Sequence, residues 1–281
     1  MPRVEMAAMS MHDTADDPPP ENVFTTVRWD PMLRDCPDNL NLASSAAESK
    51  ALYMFRYHVN RLQAALLRLG GLESVKAITE ETLGEVVQGF SQEENALRVR
   101  ITVNIKTGSM SITSAITAAV PLSTLFPKSL DIEMQLETAS RYELYVCPHS
   151  SKPSLQTRHK TSNRDVYNTA RMACGLPAQP TADPVEVLLW NPAGELMEGS
   201  LTSIYLHRQG QWVTPHLDCG GNDGTTRRWA LETDLCSEGH IKIDGEDGLK
   251  EGEVAWISNG VRGFIQGIVR RCFHDQAVEV P

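Results

Sequence analysis

The sequence predicts a two-domain α/β protein, with a smaller N-terminal domain and a larger C-terminal one. Segments typical of strands and of helices follow one another without the regular alternation of a parallel sheet, and no strand leads into G-x-G-x-x-G, which argues against a Rossmann domain. A proline-punctuated stretch at 121–157 separates the two halves. We therefore predict a disordered tail at 1–20, a small α/β domain at 21–145, a linker at 146–157 and a larger domain at 158–281.

The composition is that of an ordinary globular protein, with 41% hydrophobic and 22% charged residues in a chain of 281. The net charge of −10 argues against a nucleic-acid partner, since such proteins usually carry a basic face. The N-terminus lacks the apolar centre of a signal peptide, and no run approaches the roughly 20 apolar residues of a membrane span. We therefore expect a cytoplasmic protein without a membrane segment.

The sequence contains none of the common metal-binding motifs. The six cysteines are scattered without a C-x-x-C pair, and the eight histidines include no H-E-x-x-H. We therefore predict no metal site and no disulfide framework.

The first domain opens with a strand and a long helix. V-F-T-T-V-R-W follows Asn22 and is rich in β-branched and aromatic residues, which favours a strand. Ser45 and Glu48 have the spacing of a capping box, and Gly70-Gly71 ends the apolar pattern that follows. That pattern predicts one helix, because its residues recur three and four positions apart: Leu52, Phe55, Val59, Leu62, Leu66 and Leu69.

A second helix and a hairpin complete the first domain. The helix is predicted after Thr79, with a buried side formed by Leu83, Val86, Val87 and Phe90. L-R-V-R-I-T-V at 97–103 and M-S-I-T-S-A-I at 110–116 predict a hairpin around Thr107-Gly108. An extended piece is predicted at Tyr142 to Val146.

The second domain begins with a helix and continues mostly in strands. Ser162 and Asp165 have S-x-x-D spacing, which predicts a helix that passes through Arg171 and ends at Gly175. Strands are predicted for V-E-V-L-L-W, E-L-M-E-G, S-L-T-S-I-Y-L, Q-W-V-T-P, V-A-W-I-S and F-I-Q-G-I-V. Gly224-Thr225-Thr226 leads into a further helix.

One stretch, at 158–228, holds the parts of a pyridoxal-phosphate site. R-H-K-T-S-N-R places a lysine beside a helix start, and L-M-E-G-S-L-T-S places an acid on a glycine turn after an apolar strand. G-G-N-D-G-T-T-R-R is a glycine-rich loop that leads into a helix. Such a site needs an amine for the Schiff base, an acid for the pyridine nitrogen and backbone donors for the phosphate.

The ordered set of motifs resembles that of the fold-type IV pyridoxal-phosphate enzymes, which include branched-chain and D-amino-acid aminotransferases and 4-amino-4-deoxychorismate lyases. The set comprises Arg61-Leu62, K-T-S-N-R at 160–164, L-M-E-G-S-L-T-S at 196–203, V-T-P at 213–215, G-T-T-R at 224–227 and S-N-G at 258–260. The resemblance implies a small α/β domain and a larger pseudo-barrel β domain with helices. It also implies a cofactor in the cleft between them and a homodimer.

Within this family the chain is most similar to the lyases, and among them to the fungal ones. F-T-T-V-R at 24–28, K-x-x-N-R from Lys160, E-G-S-L-T-S and S-N-G-V-R-G-F-I-Q-G carry the similarity. It implies an enzyme that eliminates pyruvate from aminodeoxychorismate and leaves 4-aminobenzoate for folate synthesis. The chain departs from the family in two places: Ser203 stands where many members have asparagine, and the hairpin that precedes F-T-T in bacterial members is missing.

The resemblance assigns roles to individual residues. Lys160 is the catalytic residue, which forms the Schiff base and then transfers protons, and Glu198 faces the pyridine nitrogen. The phosphate is assigned to Arg61, Gly224, Thr225 and Thr226, with Thr202, Ser203, Asn259 and Gly260 as further cofactor contacts. Arg28 and Arg262 are candidates for the substrate carboxylates. Weaker candidates are Tyr167 and Asn163 in the pocket and His58 and His159 in proton transfer, since packing and capping explain them as well.

Two alternatives remain open at this stage. The first is an aminotransferase of the same fold that acts on branched-chain or D-amino acids. The second is a cofactor-binding scaffold without turnover, against which the presence of both Lys160 and Glu198 argues.

Overall fold

The computed structural model describes residues 20–43, 47–90, 93–131 and 141–272, and these ranges form one small and one large β-sheet. The strands are β1 (Asn22–Trp29), β2 (Leu97–Asn104), β3 (Met110–Ile116), β4 (Tyr142–Val146), β5 (Val185–Trp190), β6 (Leu196–Gly199), β7 (Ser203–Arg208), β8 (Gln211–Pro215), β9 (Ser237–Gly239), β10 (Val254–Asn259) and β11 (Gly263–Arg271). The predicted tail at 1–20 lies outside the described residues except for its last position.

The helices are mostly short and lie around the sheets. They are α1 (Pro37–Leu40), α2 (Phe55–Arg68), α3 (Leu72–Lys76), α4 (Glu80–Val86), α5 (Leu122–Leu125), α6 (Leu155–Arg158), α7 (Asp165–Ala173) and α8 (Thr225–Glu232). Four 3₁₀ segments accompany them in the described part of the chain, at Pro31–Asp35, Ala47–Ala51, Gln88–Phe90 and Leu217–Cys219. None of the helices in the described ranges is long and apolar enough to cross a membrane.

The small sheet is antiparallel, in the order β1-β2-β3, and the large sheet has the order β6-β5-β4-β11-β10-β7-β8-β9. Pairs β4/β5, β4/β11 and β8/β9 are parallel, whereas the other pairs of the large sheet are antiparallel. This mixed, curled sheet with surrounding helices confirms the predicted α/β fold class. The domain boundaries at 145 and 157 stay a prediction. Strand β4 crosses the first of them, at 145, and pairs within the large sheet.

Helix α2 packs on the small sheet and buries the predicted apolar face. Phe55, Leu62 and Leu66 are at most 1% exposed and belong to one core cluster with Val99 and Ile101 of β2. Each such aliphatic or aromatic side chain contributes about 1.5–3 kcal/mol on burial. The alternating pattern of β2 therefore places its apolar side on this core and turns the opposite side, with Arg98 and Arg100, away from it.

The predicted start of the long helix is wrong. Ser45 lies outside the described residues, Ala47–Ala51 is 3₁₀, and α2 begins at Phe55 after Met54, whose φ of 52° is left-handed. The intervening segment pairs with the end of β1: Leu52 bridges Trp29, and the Tyr53 amide donates to the Arg28 carbonyl at 2.9 Å. Backbone pairing with β1 thus holds this segment out of the helix. The predicted end is confirmed, since Gly70 has a φ of 83°.

The same effect displaces the start of α7. The helix begins at Asp165, with Arg164 rather than Ser162 at its N-cap. Thr161 instead forms a bridge to Val23, and the Ser162 amide donates to the Asn22 carbonyl at 2.9 Å. This pairing with β1 is what carries the preceding residue, Lys160, to the junction of the two sheets.

The remaining predicted elements are confirmed with small changes. The helix after Thr79 is α4, and Thr79 caps it in a capping box with Thr82. The hairpin is β2–β3, Gly175 ends α7 with a φ of 70°, and the strands predicted in the second half correspond to β5 to β8, β10 and β11. The short strand β9 was not predicted, because S-E-G carries no apolar alternation.

Candidate active site

A cleft of about 460 Å³ lies where the small sheet meets the large one. Its lining includes β1 and β2 from the small sheet and the segments around β6, α8 and the β10–β11 turn from the large sheet. Residues predicted for the site that line this cleft are Lys160, Glu198, Arg61, Gly224, Thr225, Thr226, Thr202, Ser203, Asn259, Gly260 and Arg262. Chain segments far apart in sequence are thus brought to one place.

Lys160 is held in the cleft by the backbone. Its carbonyl accepts a hydrogen bond from the Phe24 amide of β1 at 2.9 Å, and the bridge between Thr161 and Val23 continues that pairing. Helix α7 begins five residues later at Asp165. Because the backbone is fixed on both sides, the ammonium group is directed into the cleft from a defined position.

The surroundings of Lys160 favour its neutral amine. Burial, the largest cause, and the nearby positive charges of Arg61 and Arg164 together lower its pKa from 10.5 to about 7, although Glu198 and Glu186 act in the opposite direction. A lysine that exchanges its proton near neutral pH is suited to act both as a nucleophile and as an acid or base.

Glu198 is a buried acid at the end of β6. Its exposed fraction is 8%, and its Oε1 accepts a hydrogen bond from the Tyr167 hydroxyl at 2.7 Å. Burial raises the pKa of this carboxyl, although Tyr167, Lys160, the Asn222 amide and Arg164 act in the opposite direction. The carboxyl is therefore able to hold a proton itself, or to share one with a ring nitrogen placed against it.

A second buried acid, Glu186, also acts on the pKa of Lys160, but its carboxylate is occupied by hydrogen bonds within the protein. Its Oε1 accepts from the Ser200 hydroxyl at 2.6 Å and from the Val187 amide at 2.9 Å. Its Oε2 accepts from the Thr202 hydroxyl at 2.8 Å and from the Leu201 amide at 3.1 Å. With four donors on one carboxylate, Glu186 fixes the turn after Glu198. No motif in the sequence marks this acid, which lies inside the apolar run V-E-V-L-L-W.

The N-terminus of α8 provides an anion site at one end of the cleft. Gly224 is its N-cap and makes no side-chain capping bond, so the first amides of the helix are open to a ligand. Thr225 Oγ1 and Arg61 Nε are buried and have no hydrogen-bond partner among the described residues. Buried polar atoms are nearly always satisfied, so these two atoms mark a place for an anionic group such as a phosphate.

Arg61 reaches this end of the cleft from α2. Its Nη2 donates to Thr25 Oγ1 and lies 3.2 Å from His58 Nδ1. Burial and the charge of Arg228 lower the pKa of Arg61 to about 9, so it remains cationic at neutral pH. His58 is buried and its pKa is lowered well below the ordinary value by burial and by Arg61, Lys160 and Arg228, which makes it a neutral support for Thr25 and Arg61.

Gly260 brings the β10–β11 turn against this group. A Cβ at Gly260 would lie 2.6 Å from His58 Cε1 and 3.1 Å from Thr225 Oγ1, so a larger residue would fill the space between them. The Asn259 side chain caps its own turn, since its Oδ1 accepts from the amides of Val261 and Arg262 at 3.0 and 2.9 Å. The Oδ1 of Asn259 is therefore used within the turn, although the residue lines the cleft.

Three further residues predicted as cofactor contacts, Thr202, Thr226 and Ser203, also contact other parts of the protein. The Thr202 hydroxyl is engaged by Glu186, and Thr226 Oγ1 accepts from the Ser258 hydroxyl at 2.7 Å. Ser203 packs directly against Gly224, so the space at this point admits a serine but leaves little room for a Cβ on the glycine. All three line the cleft, and Ser258 and Asn222, which also line it, were not found from the sequence.

Arg28, predicted as a candidate for a substrate carboxylate, is not among the residues that line the cleft. Its guanidinium is 1% exposed and forms an ion pair with Asp30 at 2.7 Å. It also donates to the carbonyls of Ala118 and Val261, at 3.0 and 3.3 Å. Through these hydrogen bonds the guanidinium group links β1 to the chain after β3 and to the β10–β11 turn.

Replacing Arg28 with alanine is expected to destabilise the protein by about 3–5 kcal/mol, because Asp30 is left buried without its cation. Urea denaturation of the two proteins measures the difference. Lys76→Ala is the control, since its ion pair with Glu73 is exposed and contributes little. A folded Arg28→Ala protein with unchanged stability but a strongly raised KM would contradict this structural role.

Four arginines besides Arg61 line the cleft. Arg98 and Arg100 come from β2, Arg164 from the start of α7, and Arg262 from the β10–β11 turn. Arg100 stacks on Phe24 at 3.6 Å and Arg164 on Tyr167 at 4.2 Å, which orients both guanidinium groups. Of these only Arg262 was predicted as a substrate residue; Arg98 and Arg100 looked like the solvent side of an amphipathic strand.

Comparison with known proteins identifies relatives that span most of the described chain. Residues 42–268 match the model of the family described as amino-transferase class IV. A Schizosaccharomyces pombe protein provisionally named aminodeoxychorismate lyase is 27% identical over 231 residues, which is 82% of this chain and 89% of that protein. The aminodeoxychorismate lyase of Saccharomyces cerevisiae is 28% identical over 209 residues, 66% of this chain but only 55% of its own length.

Solved structures show the same fold at low sequence identity. A Mesorhizobium loti protein provisionally named an amino-acid aminotransferase superposes with a TM-score of 0.64 at 22% identity, covering 89% of this chain and 99% of its own. The pyridoxal-phosphate form of a Thermobaculum terrenum branched-chain aminotransferase gives a TM-score of 0.59 at 14% identity, covering 89% and 77%.

Proposed function

The chain belongs to the amino-transferase class IV family, and on that premise we propose that it is a pyridoxal-phosphate-dependent 4-amino-4-deoxychorismate lyase. The proposed reaction releases pyruvate from aminodeoxychorismate and leaves 4-aminobenzoate, a step toward folate. The names of both fungal relatives support this activity over the others in the family.

The residues of the cleft fit the cofactor. The phosphate is proposed to lie at the N-terminus of α8, against Arg61 Nε and Thr225 Oγ1, the buried polar atoms that lack partners in the described structure. The pyridine nitrogen is proposed to face Glu198, and the aldehyde carbon Lys160. When bound, pyridoxal phosphate supplies an aldehyde that condenses with amines and a ring that withdraws electrons from the adjoining carbon.

Lys160 is proposed to carry the proton transfers. Its Nζ is neutral for much of the time near pH 7 and accepts the proton from the amine-bearing carbon of the substrate. Loss of that proton allows the bond to the enolpyruvyl oxygen to break. The leaving group takes up a proton and becomes pyruvate, and the remaining ring becomes aromatic, which drives the elimination forward. Glu198 holds the ring of the cofactor in its electron-withdrawing, protonated form.

The observation that carries the choice of a lyase is the set of arginines in the cleft lining. Aminodeoxychorismate has two carboxylates, and the cleft offers the guanidinium groups of Arg98, Arg100, Arg164 and Arg262 in a chain with a net charge of −10. A branched-chain amino acid has one carboxylate and an aliphatic side chain, which an arginine-lined wall does not favour. An aminotransferase of the same fold is also compatible with this site. Transamination is therefore the alternative that the experiment must distinguish from elimination.

Product formation is the deciding experiment. Aminodeoxychorismate is generated from chorismate and glutamine by a separate synthase, and this protein is added with pyridoxal phosphate. We expect 4-aminobenzoate and pyruvate in equal amounts. Arg98→Gln is expected to raise KM by about tenfold with little change in kcat, because it removes binding to a carboxylate that is unchanged in the reaction.

The other outcomes are distinct. If neither product forms but branched-chain or D-amino acids convert the bound cofactor to its amine form, the protein is an aminotransferase. If the cofactor binds covalently and no amino donor or aminodeoxychorismate is turned over, the protein is a scaffold. Failure to bind pyridoxal phosphate at all would contradict the assignment of the whole site.

We also propose a cytoplasmic homodimer whose second subunit covers the rim of the cleft. The edge strand β3 supports this, because Ile116 lines the cleft and is nevertheless 74% exposed. A large apolar side chain at the mouth of a polar cleft is suited to an interface. Light scattering on the purified protein measures the mass and tests this.

A further inference from the structure

A second cluster of chemically reactive side chains lies outside the cleft lining. It consists of Glu195, just before β6, Cys219, at the end of the 3₁₀ segment, and His240, just after β9. These residues are 24 and 21 positions apart in sequence, so no motif spacing marks them and the sequence alone predicts no metal site. Their potential ligand atoms lie within 4.8 Å of one another.

The distances match those between ligands of a tetrahedral zinc ion. Cys219 Sγ lies 3.6 Å from His240 Nδ1 and 3.7 Å from Glu195 Oε2, and His240 Nδ1 lies 3.2 Å from Glu195 Oε1. With zinc bonds of about 2.3 Å to sulfur and 2.0–2.2 Å to nitrogen or oxygen, the edges of a tetrahedron are about 3.4–3.6 Å. The two Glu195 distances are measured to different oxygens, so the carboxylate must turn to bring one oxygen near both partners; one ligand atom from each residue already lies within 4.8 Å of the other two.

The cluster is built on a buried support. The Asn191 side chain is 6% exposed, and its Nδ2 donates to Glu195 Oε2 at 3.2 Å and to the Cys219 carbonyl at 3.1 Å. Its Oδ1 accepts from the Glu195 amide at 3.1 Å. One buried side chain thus positions two of the three ligands, as the outer groups of metal sites commonly do. Cys219 itself is fully buried.

We propose that Glu195, Cys219 and His240 bind a zinc ion, with water as the fourth ligand. A thiolate, an imidazole and a carboxylate together are the donor set of zinc rather than of calcium or magnesium, which prefer oxygen alone. Binding displaces the proton of the Cys219 thiol, because the thiolate is the ligand. Lys242, whose Nζ lies 3.0 Å from Glu195 Oε1, must turn away, and its side chain is 52% exposed and free to do so.

The ion would fasten three segments around the cleft. Glu195 leads into β6, which carries Glu198, Cys219 precedes the glycine-rich loop to α8, and His240 follows β9. Zinc would therefore connect the chain before Glu198 to the chain before the anion-binding loop, without contacting Glu198 or that loop. The proposal does not depend on the identity of the cofactor or the substrate.

The test uses the full chain, freed of metal with a chelator and titrated with Co²⁺ as a spectroscopic substitute for zinc. We expect one equivalent to bind, with the intense visible bands of tetrahedral cobalt and a thiolate-to-cobalt charge-transfer band, and to be displaced by Zn²⁺. Cys219→Ser is expected to lose the charge-transfer band, whereas the matched Cys236→Ser variant keeps it, since Cys236 lies outside the cluster.

Two variants on exposed positions complete the test, because Cys219 is buried and its replacement can affect folding. His240→Ala is expected to weaken Co²⁺ binding by about tenfold or more. Lys242→Met is expected to strengthen it by about three- to tenfold, because a competing cation is removed from Glu195. Hydrogen bonding alone predicts no gain in metal affinity for Lys242→Met.

The proposal is overturned if the unmodified chain binds no stoichiometric Co²⁺, or if the charge-transfer band survives Cys219→Ser. Unchanged affinity in both His240→Ala and Lys242→Met would likewise place any bound metal elsewhere.

Discussion

Replacing Lys160 with alanine is expected to lower the rate of 4-aminobenzoate formation by about 10⁴-fold, while the fold is retained. The side chain projects into the cleft from a backbone that is fixed by hydrogen bonds to β1, so its removal leaves those bonds in place. What is lost is the amine that holds the cofactor covalently and moves the proton from the substrate carbon. Steady-state rates for both products measure the effect.

Three controls separate this chemical role from a structural one. Lys152→Ala removes an exposed lysine outside the cleft and is expected to leave the rate unchanged. Lys160→Arg keeps the positive charge but not a transferable proton, so it is expected to be as inactive as the alanine variant. Small primary amines added to Lys160→Ala are expected to restore part of the activity, which a merely misfolded protein would not show.

The pKa of Lys160 gives an independent readout in the cofactor-free protein. Because burial and the neighbouring arginines lower this pKa to about 7, the amine is neutral above that pH and protonated below it. Its covalent labelling by pyridoxal phosphate, fixed with borohydride and located by mass spectrometry, is therefore expected to be half-maximal near pH 7. A midpoint close to the ordinary 10.5 would show that the ammonium is not shielded in the way the structure indicates.

The sequence predicted most elements and many of the residues that line the cleft, and the two misplaced helix starts have one physical source. Both misplaced helix starts, at Ser45 and at Ser162, follow from capping patterns that are local and correct in themselves. In each case backbone pairing with β1 holds the neighbouring segment extended, at Leu52 and at Thr161. A local pattern contains no information about a partner strand elsewhere in the chain, so tertiary pairing prevails over it.

The site residues that the sequence missed were likewise hidden because a local pattern does not report its tertiary surroundings. Arg98 and Arg100 occupy the polar positions of an alternating strand, and that alternation does not tell whether the polar side faces water or a cleft. Conversely, Arg28 was predicted to bind a substrate carboxylate, whereas its guanidinium forms an ion pair with Asp30, two residues away. Lys160, Glu198 and the α8 loop could be predicted because each carries a recognisable local motif.

The second large effect is expected for Glu198→Gln, which should reduce product formation by about 10³-fold without releasing the cofactor. The buried carboxyl accepts from Tyr167 at 2.7 Å and is proposed to hold the proton of the pyridine nitrogen. A neutral amide of the same size keeps the space filled but cannot stabilise a protonated ring. The amine of Lys160 and the anion site at α8 are unchanged, so the absorbance of the covalently bound cofactor should persist while turnover is lost.

The neighbouring acid provides the matched comparison. Glu186→Gln changes a carboxylate that accepts four hydrogen bonds from Ser200, Val187, Leu201 and Thr202, and an amide has only one oxygen to offer them. That substitution is expected to cost about 3 kcal/mol of folding stability, measured by urea denaturation, because buried donors lose their partners. Glu198→Gln should leave the stability within about 1 kcal/mol, since Tyr167 can still donate to the amide oxygen.

The two variants should therefore differ in kind: Glu198→Gln is stable and binds cofactor but is slow, and Glu186→Gln is less stable and, where folded, remains active. A Glu198→Gln protein with an undiminished rate would show that the ring does not need a proton from this acid. The reversed pattern, with Glu186→Gln stable but inactive, would move the acid of the site to β5. Because both carboxylates are buried and both act on the pKa of Lys160, this pair of substitutions is needed to distinguish the one that acts on the cofactor from the one that holds the turn.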